Sequence, residues 1–200
     1  MSKLLNDAVG ELAKLPSVGK RTALRLALHL LGEEPEEVAA LAEALVRFRK
    51  EVRYCSRCNN ISDDEVCPIC QDPRRDRSTV CVVEQVGDVL SIEKTQQYNG
   101  LYHVLGGIIS PMQGIGPSDL KIDLLVDNIA RGEIKEVILA IGATVEGETT
   151  LFYIMRRLAQ FPDLRITKIA RGIGVGDEIE YANELTIAHA LHNRIDVSRD

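Results

Sequence analysis

Four of the five cysteines crowd into one short segment, as Cys55-Ser56-Arg57-Cys58, a gap of eight residues, and Cys67-Pro68-Ile69-Cys70. Each pair presents two thiolates from one tight turn, and two such turns close a tetrahedral shell around Zn(II). A catalytic zinc keeps one position open for water, whereas four thiolates fill the shell, so the spacing predicts one structural zinc per chain. The gap from Asn59 to Val66 holds only Ile61 and Val66 as apolar residues with core-forming size, and metal binding would supply folding energy that packing cannot. Two alternatives are weaker: four cysteines buried as small hydrophobes, or a redox pair, for which one such motif would be expected and not two. Cys81, inside Val80-Cys81-Val82-Val83, reads as a core strand residue without chemistry.

Thiols in this pattern suit a reducing compartment. The N-terminus agrees, because Asn6, Asp7 and Glu11 interrupt the apolar stretch that a secretory signal needs after Lys3, and a cytoplasmic location is expected. A chain of 200 residues, 45% hydrophobic and 27% charged, has a globular composition, and no apolar run reaches membrane-spanning length. The net charge of -6 disfavours nucleic acid only if it is spread evenly. It is not. Residues 1 to 53 carry nine basic against eight acidic residues, and Lys14, Lys20, Arg21 and Arg25 follow one another with no acid between them.

Leu4, Leu5, Ala8 and Leu12 recur at helical spacing, stop at Leu15-Pro16-Ser17-Val18-Gly19, and resume as Ala23, Leu24, Ala27, Leu28 and Leu31. A third helix is expected from Pro35, with Val38, Leu41, Ala42 and Leu45 on one face, and the three helices are expected to share a small core. The turn leaves backbone N–H groups free at a helix N-terminus, beside Gly19, Lys20, Arg21 and Arg25, which suits a phosphate. An ordinary helical hairpin with a solvated basic face is the alternative.

Beyond the polar stretch from Gln71 to Ser78, strands are predicted near 79–83, 102–105, 136–141 and 165–170. Helices are predicted over 86–94, 118–131, 148–160 and 178–191. Short apolar strands alternating with helices indicate an α/β domain with a mainly parallel sheet. Sites in such sheets lie beyond the carboxyl ends of the strands, where Glu84, Glu146 and Glu148 fall. These acids either hold a hard cation such as Mg(II) or complement the dipole of the next helix. The glycine-rich loop Gly172-Ile173-Gly174-Val175-Gly176 lacks the phosphate-loop pattern and reads as a helix entrance, with Asp177 and Glu178 in or before its first turn.

The hairpin, in Leu15-Pro16, Val18-Gly19 and Ala23, resembles a helix-hairpin-helix motif, with Ser17 where that motif usually has glycine. Hairpin, four-cysteine array, Glu84 and Thr144-Val145-Glu146-Gly147-Glu148-Thr149-Thr150 stand in the order found in RecR proteins. Leu105-Gly106-Gly107-Ile108-Ile109-Ser110-Pro111 and Gly114-Ile115-Gly116-Pro117 are also similar to that family. The resemblance implies an α/β Toprim domain joined to a small helix-hairpin-helix module and a four-cysteine zinc finger. It divides the chain into a DNA-binding module at 1–53, a zinc finger at 54–78, a Toprim domain at 79–172, and an oligomerising C-terminal helix and tail at 173–200. It further implies a bacterial, non-catalytic mediator of recombinational repair that forms a ring tetramer on DNA. Such a mediator acts with RecO and RecF to load recombinase on single-stranded or gapped DNA. Glu146-x-Glu148 stands where catalytic Toprim domains carry Asp-x-Asp, which argues against metal-dependent chemistry and leaves partner binding or Mg(II) as roles for Glu84, Glu146 and Glu148. A Toprim nuclease or primase and a zinc-containing regulator are the rival readings. The second has no helix rich in base-reading side chains to support it.

Overall fold

The computed structural model describes residues 2–196 and divides at Val52/Arg53 into two compact units. The end of the expected C-terminal segment, from 197 on, lies outside the described residues.

The first unit is helical: α1 (Lys3–Leu12), α2 (Lys20–Leu31) and α3 (Pro35–Glu51). Pro35 opens α3 at its first turn, where the missing N–H costs nothing, and Glu36 and Glu37 complement the dipole there. α1 packs on α2, and Ala23 and Ala27 are buried along the α2 stripe. The expected three-helix core is not formed. Among the described residues α3 has none buried, and Leu41, Leu45, Val46 and Phe48 remain exposed. The reason is one of area: two short helices that meet through alanines offer too little surface to cover a helix of 17 residues.

The second unit begins with a cysteine-knuckle segment, in which β1 (Arg53–Tyr54) pairs antiparallel with β2 (Ile61–Ser62) and α4 (Pro68–Gln71) follows Cys67 and carries Cys70. A parallel sheet follows, built of β3 (Asp76–Val83), β4 (Gly100–Val104), β5 (Glu136–Ala140) and β6 (Arg165–Lys168) in the order β4-β3-β5-β6. Between the strands run α5 (Val86–Thr95), α6 (Ile122–Ala130) and α7 (Val145–Leu158), and α8 (Glu184–His192) lies beyond the last of them. Strand alternation sorts the core. Val80, Val82, Val137 and Leu139 pack with Leu125, Ile129, Ile154 and Leu158 of α6 and α7, while Cys81, Val83, Tyr102 and Val104 pack with Val89 of α5. The sheet is therefore covered on both faces, as its near-continuous apolar strands require.

Three predicted helices start elsewhere than expected. The stretch 118–131 is broken: a 3-10 turn over Pro117–Asp119 precedes α6, because buried Leu120 turns into the core and Lys121 N–H donates to Leu105 C=O at 3.0 Å. α7 begins at Val145, three residues early, where the Thr144 hydroxyl accepts from Gly147 N–H at 3.0 Å. α8 begins only at Glu184, capped by Asn183 accepting from Thr186 N–H at 2.9 Å, and Asp177 and Glu178 precede a separate 3-10 turn at Ile179–Tyr181.

Candidate metal centre and nucleic-acid interface

The four thiols of Cys55, Cys58, Cys67 and Cys70 lie within 4.8 Å of one another and all four residues are buried. Backbone bonds build this geometry. Cys55 N–H donates to Asn60 C=O at 2.7 Å, Asn59 N–H returns to Cys55 C=O at 2.9 Å, and Asn59 takes the left-handed conformation that lets the first knuckle turn. Cys67 N–H donates to Cys55 Sγ at 3.3 Å, the kind of bond that stabilises a thiolate. Four crowded thiolates cannot coexist without a cation. Hydrogen bonds from Cys58 and then Cys70 hold Cys67 far below the ordinary thiol range, and the same contact with Cys67 pushes Cys58 far above it. The donor set thus fits a single tetrahedral, thiophilic metal ion, with no ligand position left for substrate.

The knuckle is fastened to the sheet. Val104 N–H donates to Cys58 C=O at 2.8 Å, the Asn59 side-chain amide donates to Val104 C=O at 2.8 Å, and Asn128 of α6 donates to Arg57 C=O at 2.6 Å. By contrast Cys81 sits in the core, where burial pushes its thiol up to about 12.

At the helical hairpin, Val18 N–H closes a turn onto Leu15 C=O at 3.1 Å and α2 starts after Gly19 with no side chain capping its N-terminus. Its first amides are therefore free to bind an anion. Lys20, Arg21 and Arg25 are exposed and make no ion pair among the described residues, whereas Lys14 is held by Glu11 at 2.7 Å and His29 faces Glu33 at 3.4 Å. A Cβ built on Gly19 meets nothing within 4 Å, so packing inside the chain does not demand glycine there. Ser17 has φ 64°, a left-handed conformation that costs a non-glycine residue about 1–2 kcal/mol. That is the physical reason a glycine suits this position better.

The three acids do not converge. Among the described residues the four cysteines are the only group of three or more possible ligands brought together. Glu84, after β3, accepts from Gly142 N–H at 2.6 Å and ties the ends of two neighbouring strands. Glu148, in the first turn of α7, is paired with Arg171, whose guanidinium also donates to Ile141 C=O at 3.0 Å and holds the Glu148 carboxyl below its usual range. Glu146 occupies the same helical turn, half-buried, with no side-chain partner among the described residues.

Sequence reading overlooked Arg171 and Gly147. A Cβ on Gly147 would stand 2.2 Å from the Gly142 carbonyl oxygen, so glycine lets α7 start hard against the loop after β5. The signal was visible as the glycine between two glutamates. Thr150, fully buried, donates to Glu146 C=O at 2.7 Å and accepts from Ile109 N–H at 2.8 Å, which links this turn to the glycine-rich loop after β4.

Four family models match this chain in series: RecR, helix-hairpin-helix over residues 5–49; RecR, four-cysteine zinc finger domain over 52–72; Toprim domain over 78–170; and RecR, C-terminal over 172–195. Proteins called Recombination protein RecR are similar along nearly the whole length. That of Phocaeicola vulgatus is 56% identical over 193 residues, covering 96% of this chain and 94% of the relative. That of Bacteroides thetaiotaomicron is 55% identical over the same shares, and that of Porphyromonas gingivalis 55% identical over 98% of this chain and 95% of its own.

Proposed function

Because this chain belongs to the RecR family of recombination proteins, we propose that it serves recombinational DNA repair in the bacterial cytoplasm as a DNA-binding mediator and clamp, and not as a catalyst. One observation carries the reading: Arg21 and Arg25 stand exposed and unpaired one turn apart on α2, beside Lys20 and the uncapped amides that follow Gly19. Such a surface grips phosphate oxygens and ignores base edges, so it binds DNA without regard to sequence. No helix among the described residues is long and apolar enough to cross a membrane.

One zinc held by Cys55, Cys58, Cys67 and Cys70 would act by bracing, since a full thiolate shell leaves no room for Lewis-acid chemistry. The chain's own residues argue the same way. Glu84 and Glu148 are spent on a backbone amide and on Arg171, which leaves no three-carboxylate cradle for Mg(II) among the described residues. Burial raises Tyr98 and Tyr102, the opposite of what a nucleophilic tyrosine needs. The Glu84, Glu146 and Glu148 surface then serves the partners that the family resemblance implies, RecO and RecF, in loading recombinase on single-stranded or gapped DNA.

A single hairpin offers few phosphate contacts on a protein of net charge -6, so useful affinity calls for several copies. A ring tetramer supplies them. The exposed apolar face of α3 supports one interface, and exposed Ile179, Tyr181, Leu185 and Leu191 near the C-terminus support a second.

The test is DNA affinity across a salt series for the wild type and for the Arg21→Ala/Arg25→Ala variant. Loss of two phosphate contacts per chain should weaken every DNA sequence alike and flatten the slope of log affinity against log salt by about 0.9 per contact. An unchanged slope would leave the hairpin a purely structural element.

A further inference from the structure

We infer that the cavity enclosed by the first cysteine knuckle, the edge strand β4 and the C-terminal end of α6 binds a phosphate monoester whose organic part presents a hydroxyl or amino group, as a mononucleotide does. The cavity has a volume of about 190 Å³ and is lined by Arg57, Arg77, Arg131, His103, Asn128 and Glu133, with Leu101 and Leu125 among its apolar walls. None of this belongs to the helical unit.

Charge points to the phosphate. In this unit Arg74, Arg75, Arg157, Arg165 and Arg171 each face a carboxylate. Arg57, Arg77 and Arg131 come from three separate elements, line one cavity, and make no ion pair or side-chain hydrogen bond among the described residues. Against them stands one acid, Glu133. Three guanidiniums facing one carboxylate leave an excess that matches a dianion, and planar N–H forks recognise phosphate oxygens in pairs.

His103 points to the organic part, independently of charge. It is 1% exposed, and its Nε2 lies 2.8 Å from the Lys121 carbonyl oxygen, which can only accept. Nε2 therefore carries the proton and Nδ1 presents a lone pair, yet Nδ1 is buried with no hydrogen-bond partner. A buried acceptor without a donor costs about 1–3 kcal/mol, so a ligand hydroxyl or amino group that opens the short path from the cavity to Nδ1 would be rewarded. Inorganic anions that present only acceptors would not.

Size restricts the ligand further. At about 190 Å³ the cavity is smaller than sites for drug-sized ligands, so it takes a phosphate with the sugar on one side of it while the base stays outside. A phosphate inside a strand has a sugar on either side and cannot enter. A free nucleotide or the phosphorylated end of a strand can. Cys58 and Cys70 also line the cavity, so the opposing possibility is that the arginines merely offset the charge of the thiolate shell. The two differ in what each arginine supports.

The experiment uses the full zinc-loaded chain carrying Arg21→Ala and Arg25→Ala, so that the hairpin contributes nothing and failure of the clamp reading cannot be confused with failure of this one. Calorimetric titration with deoxyadenosine 5′-monophosphate should show saturable binding, with deoxyadenosine at least about tenfold weaker. Adding Arg77→Ala and Arg131→Ala, both exposed positions, should weaken the nucleotide by about tenfold per arginine with zinc content unchanged. Arg156→Ala, an exposed arginine elsewhere, should change nothing. The His103 Nδ1 nitrogen resonance should move on nucleotide binding. A 5′-phosphorylated oligonucleotide that competes where its 5′-hydroxyl twin does not assigns the recess to strand ends, and displacement by mononucleotide alone assigns it to a free metabolite. Absence of saturable binding, equal binding of nucleotide and nucleoside, or zinc loss on removing Arg77 and Arg131 would overturn the inference.

Discussion

His103 shows how a single buried side chain sets a pH limit on this molecule. Burial pushes its imidazole down to about 4, while an unfolded chain titrates near about 6.5. Below pH 6.5 the unfolded state takes up that proton first, so stability falls as the pH drops from about 6.5 towards about 4 and is insensitive to this group outside that window. Between pH 7 and pH 5 the loss from His103 alone is about 2 kcal/mol. Urea unfolding at the two pH values should show that His103→Gln, whose side-chain amide can still donate to Lys121 C=O, loses less stability than the wild type by that order. Equal losses would mean that His103 is accessible to protons in the folded protein. Residues of this kind were hidden in the sequence, where His103 is one letter in an apolar strand. Arg171 was hidden for another reason: it reaches Glu148 across 23 residues, and no local pattern foretells such a pairing. Ser17 was legible as a departure from the motif, and its φ of 64° gives that departure a physical cost.

Elements were most legible where chemistry or periodicity is local. The cysteine spacing named its own ligand set, and Pro35 marked the start of α3 correctly. Boundaries failed where tertiary contacts override the local pattern, as at Leu120 and Lys121, which interrupt what reads as one continuous helix. Two predictions belong here. Zinc content should be about one ion per chain, and because most of the four thiols must lose protons to form the shell, metal uptake should release protons and weaken as the pH falls. Cys58→Ser should lower zinc retention and thermal stability together, and elemental analysis finding no zinc in the chelator-free wild type would contradict the account. The start of α7 makes the second case. Gly147→Ala places a methyl 2.2 Å from the Gly142 carbonyl oxygen, inside contact distance of rigid backbone. It should cost about 1–3 kcal/mol and loosen the first turn of α7 that carries Glu146 and Glu148, reducing association with RecO, the partner proposed above, in a pull-down while zinc content stays intact. A Gly147→Ala protein as stable as the wild type would show that the loop yields easily.

The molecule as a whole has a parallel-sheet unit with cores on both faces and a helical unit with almost none. Hydropathy patterning anticipated the apolar stripe on α3 but not that the chain leaves it bare, since periodicity says which face is apolar and is silent about which molecule covers it. Covered by a second copy, α3 would find the core its own unit lacks, and DNA binding would then depend on assembly. Light scattering across a concentration series, paired with DNA affinity, tests this most directly. The wild type should run as dimers and tetramers, and Leu45→Glu, at an exposed position on α3 and not on the helix that carries the hairpin arginines, should shift the protein to smaller species and lose DNA binding although Arg21 and Arg25 are intact. A strictly monomeric protein that binds DNA at full strength would contradict the clamp.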